Sequence, residues 1–167
     1  SVSAPAVACD ATGRFAVVWH QLGAKADGEG DGVYGRFFGS GGAPVGPPQR
    51  LNDDVTGDAL SPSVGADAQG TMVVAWTQSS TQGQGFDVYA RRFSPTGAPL
   101  ARQQRVNSRT AGRQAHASVA VNAAGDFAVG WESGAGKGLG DGDGVYGRFF
   151  GADGSPTSGD FQVAPVE

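Results

Sequence analysis

"GDGVYGRFFG" occupies Gly30–Gly39 and returns unchanged at Gly142–Gly151, and a looser copy, "GFDVYARRFS", fills Gly85–Ser94. A phrase written three times in 167 residues marks an internal repeat. Two landmarks measure its period. Trp19, Trp76 and Trp131 lie 57 and 55 residues apart, and Tyr34, Tyr89 and Tyr146 lie 55 and 57 apart. Three units, about 1–57, 58–112 and 113–167, fill the chain and read together as a single repeat domain.

The phrase itself reads as a strand. Its alternation puts Tyr34, Arg36 and Phe38 on one face and Val33, Gly35 and Phe37 on the other. Working backward, "FAVVW" (Phe15–Trp19), "MVVAW" (Met72–Trp76) and "FAVGW" (Phe127–Trp131) are apolar at consecutive positions, which predicts strands covered on both faces. Before each stands a turn opened by an Asx residue and closed by Gly: Asp10 to Gly13, Asp67 to Gly70, Asn122 to Gly125. The Asx side chain bonds its own backbone two residues on and the Gly supplies positive φ, a hairpin signal. The turn predicts a preceding strand at Ala6–Asp10, Ser63–Asp67 and Ser118–Asn122. Working forward, a Gly-x-Pro turn leads to a fourth strand at Gln49–Asn52, Gln104–Asn107 and Phe161–Ala164. No helical period appears. The expected fold is therefore all-β, three four-stranded antiparallel repeats stacked like β-propeller blades, because a sheet apolar on both faces must lie against another. The alternative is a closed pseudo-threefold β-trefoil or β-prism. Closed propellers have about four to eight blades. A three-bladed stack thus implies a longer array, a six-bladed ring of two copies, or closure of the three units on themselves.

The pattern Pro5, Val7, Asp10, Gly13, Trp19, Val33, Tyr34, Phe38 and its counterparts runs the length of the chain. It resembles the tandem repeats of large secreted and cell-surface bacterial proteins, which are taken to be β-propeller-like blades. Gly130 and Ala117 depart from the pattern, where Val and Pro are usual. The resemblance implies the fold and an extracellular, cell-surface or periplasmic location. It carries over no activity, because those repeats share no catalytic residues.

Composition bounds the function. The chain has 29 Gly, 9 Pro, one Cys and a net charge of −4. Cys9 alone allows no internal disulfide, and no stretch reaches the roughly 18–20 apolar residues of a membrane span. The acidic balance gives no reason to expect nucleic acid. The cluster Arg91, Arg92, Arg102, Arg105, Arg109 and Arg113 reads first as a solvated strand face and loop, with an anion-facing surface as the alternative.

Candidate chemistry is sparse. Gly30–Gly35 and Gly142–Gly147 match a dinucleotide fingerprint but open a strand, not a helix, which excludes that reading. Asp27, Glu29 and Asp31, with Asp141 and Asp143 in the third unit, alternate with Gly in long loops. They read as solvated loops or as a calcium site, since a curled Gly-rich backbone can present several oxygens to a hard cation. No other cofactor is expected. His20 and His116 stand where other units carry Thr77, Glu132 or Ser61, and so read as surface residues. No nucleophile motif accompanies them. Trp19, Trp76, Trp131, Tyr34, Tyr89 and Tyr146 read as core or as platforms in glycan clefts between units. These readings predict a non-catalytic interaction module, not an enzyme, whose partners are other protein subunits or further repeats. The alternative is a carbohydrate-binding lectin with one cleft per repeat.

Overall fold

The computed structural model describes residues 1–23, 30–79, 85–134 and 143–165. They form twelve strands and, among the described residues, no helix. The first sheet holds β1 (Val2–Cys9), β2 (Phe15–Gln21), β3 (Gly32–Phe38) and β4 (Gln49–Arg50). The second holds β5 (Ala59–Ala66), β6 (Met72–Ser79), β7 (Phe86–Phe93) and β8 (Gln104–Arg105). The third holds β9 (Arg113–Val121), β10 (Phe127–Gly134), β11 (Gly144–Phe150) and β12 (Phe161–Pro165). Each sheet orders its strands consecutively and pairs them antiparallel. Among the described residues no sheet is shared between units and none closes into a barrel, unlike a trefoil, and the middle sheet packs on both faces, unlike a prism, so the units stack as propeller-like blades.

The hairpin turns form by the expected chemistry. Asp10 Oδ1 accepts from the backbone N–H of Thr12 at 2.8 Å and of Arg14 at 3.0 Å. Asp67 and Asn122 repeat this in the other two blades. The fourth strands end two residues sooner than the pattern predicts in the first two blades. There Asn52 and Asn107 place a carboxamide oxygen on the N–H of Val33 and Val88, at 3.0 and 2.7 Å, where a backbone carbonyl would otherwise continue the ladder.

Adjacent blades meet through unlike faces. The face of the middle blade toward the first carries Met72, Val74, Trp76 and Phe93, which pack on Ala16, Val18, Val33, Phe37 and Leu51. Its other face carries Val73, Ala75, Val88, Ala90 and Val106, which meet Phe127, Val129, Trp131 and Phe150 of the third blade. Every residue of β6 but the last is therefore buried, while β2 and β10 alternate between buried and more exposed positions. The predicted two-sided burial thus holds in full only for the middle blade. Trp76 and Trp131 are 0% and 2% exposed, whereas Trp19, with no described blade on its side, is half-buried. Beyond it lie Val2 and Val7, both exposed, and at the far end of the stack Val145, Phe149 and Val163 are exposed as well.

Arginine fixes the register of each seam. Arg91 Nη1 donates to the carbonyl of Leu51 at 2.9 Å, and Arg148 Nη1 repeats the bond to Val106 at 2.8 Å. Both guanidinium groups lie over the neighbouring Phe ring, 5.6 Å from its centroid. Gly97, at φ +86°, brings its turn onto Phe37; a Cβ there would come within 2.6 Å of the ring. At the hairpin end Arg14 links Asp10, at 2.6 Å, to the carbonyl of Gln69 in the next blade, also at 2.6 Å. Burial of Asp10 raises its pKa, but hydrogen bonds from Thr12 and Arg14 outweigh this and hold it near 2.

The seams set two expectations. Trp76→Ala should cost about 3–5 kcal/mol of unfolding free energy, while Trp19→Ala should cost far less, read by denaturant melts. Asp10 also binds its proton less readily folded than unfolded, so its contribution is complete above about pH 4 and lost as pH falls toward about 2. Native chain should therefore melt above Asp10→Asn at pH 6, and the gap should close as pH approaches 2.

Candidate functional site

The innermost strands of the three blades, β1, β5 and β9, are the ones that pack against one another along the stack. Each slips its register once, between Ser3 and Ala6, between Leu60 and Ser63, and opposite Gly130 to Glu132. At each slip a non-glycine residue sits in the left-handed region: Ala4 and Ser61 at φ 50°, His116 at φ 55°. Such a conformation costs about 1–3 kcal/mol and persists only when surrounding structure enforces it. The three bulges occupy one blade position. Beside them lie the residues that follow each tryptophan: His20, Thr77 and Glu132. Alternation turns those residues to the face opposite the Trp, at the end where the long loops leave the blade.

In the first blade this position holds a hydrogen-bonded chain. Ser3 Oγ lies 3.0 Å from His20 Nδ1, and His20 Nε2 lies 3.2 Å from Asp31 Oδ2. The His20 and Asp31 side chains are only 12% and 10% exposed. Asp31 Oδ1 also accepts from the N–H of Gly23 at 3.0 Å, and Asp31 N–H donates to Asp58 Oδ1 at 3.0 Å. In the middle blade the position is chemically quiet. Thr77 Oγ1 accepts from the N–H of His116 at 3.1 Å and so props the third blade's bulge.

In the third blade the position is acidic and open. Glu132 Oε2 lies 2.8 Å from His116 Nδ1, and the two side chains are 64% and 51% exposed. A cleft of about 170 Å³ lined by Arg113, Ala115, Glu132 and Ser133 opens there. It borders a second of about 290 Å³ that runs from Glu132 to Val145 and Pro165, and a third of about 120 Å³ that reaches Asp143. The unchanged phrase aligns Asp143 with Asp31, as the Trp register aligns Glu132 with His20. In the first blade the residues at these two positions, His20 and Asp31, are in side-chain contact. The third blade thus carries two carboxylates at the equivalent positions, each lining one of the adjoining clefts.

The predicted site residues scatter. Asp27, Glu29 and Asp141 lie outside the described residues. Asp31 turns inward onto His20, and Asp143 lines the third of these clefts together with Arg109. Among the described residues no three acidic, His or Cys side chains gather as a metal site. Trp76 and Trp131 are buried in the seams, and their indole N–H groups donate to Gln78 and Gln114 at 2.9 and 3.0 Å. Tyr34, Tyr89 and Tyr146 are half-buried beside them. Burial and an aspartate, Asp87, raise the Tyr89 hydroxyl pKa. Trp19 borders an apolar groove of about 480 Å³ with Val2, Pro5 and Val17. The arginine cluster is largely structural: Arg91 bonds a seam carbonyl, and Arg92 donates to the carbonyls of Ala152 and Asp153. Reading by repeat alignment assigns His20, His116 and Glu132 to the surface. For His20 and Glu132, polarity directly after an apolar run is the signal that such a reading passes over.

No family model and no curated protein matches the sequence. Solved structures do share the fold. The chain is similar to an endo-arabinase from Bacteroides thetaiotaomicron VPI-5482, at 11% identity and a TM-score of 0.53, with 99% of this chain and 58% of that one covered. It is also similar to an alpha-L-arabinofuranosidase from Lactobacillus brevis, at 14% identity and a TM-score of 0.55, covering 100% of this chain and 57% of that one. The likeness is one of fold, and the chain spans less than two thirds of the length of these neighbours. It corrects the expectation drawn from sequence. A non-catalytic interaction module, with a lectin as its alternative, does not stand. Nor does the expectation that the chain is no enzyme, because the shared fold is one on which sugar-processing enzymes are built. The missing motif is no argument against catalysis, since function lives in sites grafted on a fold and the same chemistry recurs without a shared contiguous signature.

Proposed function

We propose that the chain supplies blades of a carbohydrate-active hydrolase that cleaves arabinose-containing polysaccharide, with Glu132 and Asp143 as its paired carboxylates. One observation carries this reading: Glu132 stands exposed in an open cleft, bonded to His116 at an enforced left-handed bulge, with Asp143 on the same cleft system. Glycoside hydrolysis needs two carboxyl groups flanking the scissile bond, one to protonate the leaving oxygen and one to attack or to activate water. The enzymes that share the fold act, by their names, on arabinose-containing material, which favours that substrate class. Arg113 lines the same cleft and offers donors to sugar hydroxyls. Further blades of the same kind, seated on the Trp19 face and on the Phe149 face, complete the ring. A polysaccharide substrate suits a location outside the cytoplasm.

The test is hydrolysis of arabinan, read by new reducing ends, with binding of an arabino-oligosaccharide measured by calorimetry on the same samples. Native chain should bind and hydrolyse, while Glu132→Gln and Asp143→Asn should each lose about 10²-fold or more in rate and still bind. A native chain that neither binds nor cleaves, or variants as active as native, would overturn the reading.

A further inference from the structure

The first blade holds a second reactive constellation, and its chemistry differs from that of the acidic cleft. Asp31 presents a carboxylate to His20 Nε2. A carboxylate only accepts, so the proton of the imidazole sits on Nε2. Nδ1 is then a bare acceptor, and it faces the hydroxyl of Ser3 at 3.0 Å. That is the geometry of an activated serine: nucleophile, base and orienting acid in one hydrogen-bonded line, with the two ring nitrogens exchanged relative to the best-known arrangement. The two supporting groups are mostly buried, whereas Ser3 is exposed to reactants. Asp31 is fixed from its other oxygen by Gly23 N–H, so the line is held at its far end. The apolar groove of about 480 Å³ walled by Val2, Pro5, Val17 and Trp19 opens on the opposite face of the sheet, so the exposed Ser3 hydroxyl meets its substrate from solvent beside His20.

We propose that Ser3, His20 and Asp31 form an ester-cleaving site that takes carboxylic esters reaching Ser3 from solvent. Ser3 Oγ bonds to the ester carbonyl carbon while its proton passes to His20 Nδ1. The tetrahedral intermediate then breaks the bond to the alcohol oxygen, which takes that proton and leaves. Water repeats the sequence on the acyl-serine, releasing the carboxylic acid and restoring Ser3. Asp31 stabilises the imidazolium in both halves. This site stands independently of the Glu132 cleft, two blades away.

The chain is treated with a fluorophosphonate reagent, which marks activated serines, and the labelled peptide is identified by mass spectrometry; hydrolysis of p-nitrophenyl butyrate is followed in parallel. Native chain should carry the label on Ser3 and release p-nitrophenol. Ser3→Ala, an exposed change that leaves the melting curve intact, should lose both. His20→Gln should slow both by about 10²-fold, since it removes the base and keeps the serine. Asp31→Asn keeps the acceptor for Gly23 but turns an amide N–H toward His20, which favours the other imidazole tautomer, so a loss in rate is expected with the melting curve read alongside. Absence of label on native Ser3, label elsewhere, or a rate indifferent to His20→Gln would overturn the proposal. None of these outcomes depends on whether arabinan is cleaved.

Discussion

The stack rests on one pairing of unlike surfaces. The middle and third blades turn Trp76 and Trp131 backward onto the Ala and Val side chains of the blade before, joined at the first seam by Phe37 and Leu51. Burying an indole removes about 150–250 Å² from water, worth about 4–6 kcal/mol at roughly 25 cal/mol per Å². Because the two contacting faces differ, the described blades add head to tail, and the Phe37 and Phe93 rings meet across the first seam at 5.9 Å. The arginine bonds from Arg91 to Leu51 and Arg148 to Val106 then set how far one blade slides over the next. Their net contribution is smaller, about 1–3 kcal/mol for a charged donor, but they are directional where the ring contact is not.

Much of this is legible in the sequence, and for identifiable reasons. The Asx-to-Gly turns announce themselves chemically, and the twin Trp and Tyr periods give the repeat without any structural knowledge. The first strand of each blade is legible only in its second half: Val2–Cys9, Ala59–Ala66 and Arg113–Val121 all begin four or five residues before the pattern predicts. The cause is the bulge. It places Ala4, Ser61 and His116 in the left-handed region without the Gly or Asn that usually marks such a site, so the alternation breaks and the strand becomes invisible to periodicity. Tertiary packing, not local preference, enforces that conformation.

The site is less legible than the fold because within-chain comparison works against it. His20, Thr77 and Glu132 differ among themselves, which suggests tolerance when the copies are read as equals. In a stack the copies are not equals, for the same position meets Asp31 in the first blade, the neighbouring bulge in the middle one and an open cleft in the third. Variation there, against burial of Trp76 and Trp131 in the two seams, separates positions that can change from those that hold the stack. The aromatic residues draw attention in the sequence because they repeat, and they repeat because the seam requires them.

Scaffold and chemistry are nevertheless joined in a single strand. The residue after each tryptophan points away from the seam that the tryptophan seals, so burying Trp131 fixes the backbone from which Glu132 projects. The bond from His116 N–H to Thr77 Oγ1 adds a second tie, because it crosses the seam between the middle and third blades. The middle blade, with no ionisable side chain at this position, thus determines where the third blade's imidazole stands, and through it the carboxylate of Glu132 at 2.8 Å. Pre-organisation of this kind costs the bulge strain locally and is offset by the ring burial next to it. A blade that looks inert by its own side chains therefore contributes to the site through its packing, which is why reactive groups on this fold cannot be understood one repeat at a time.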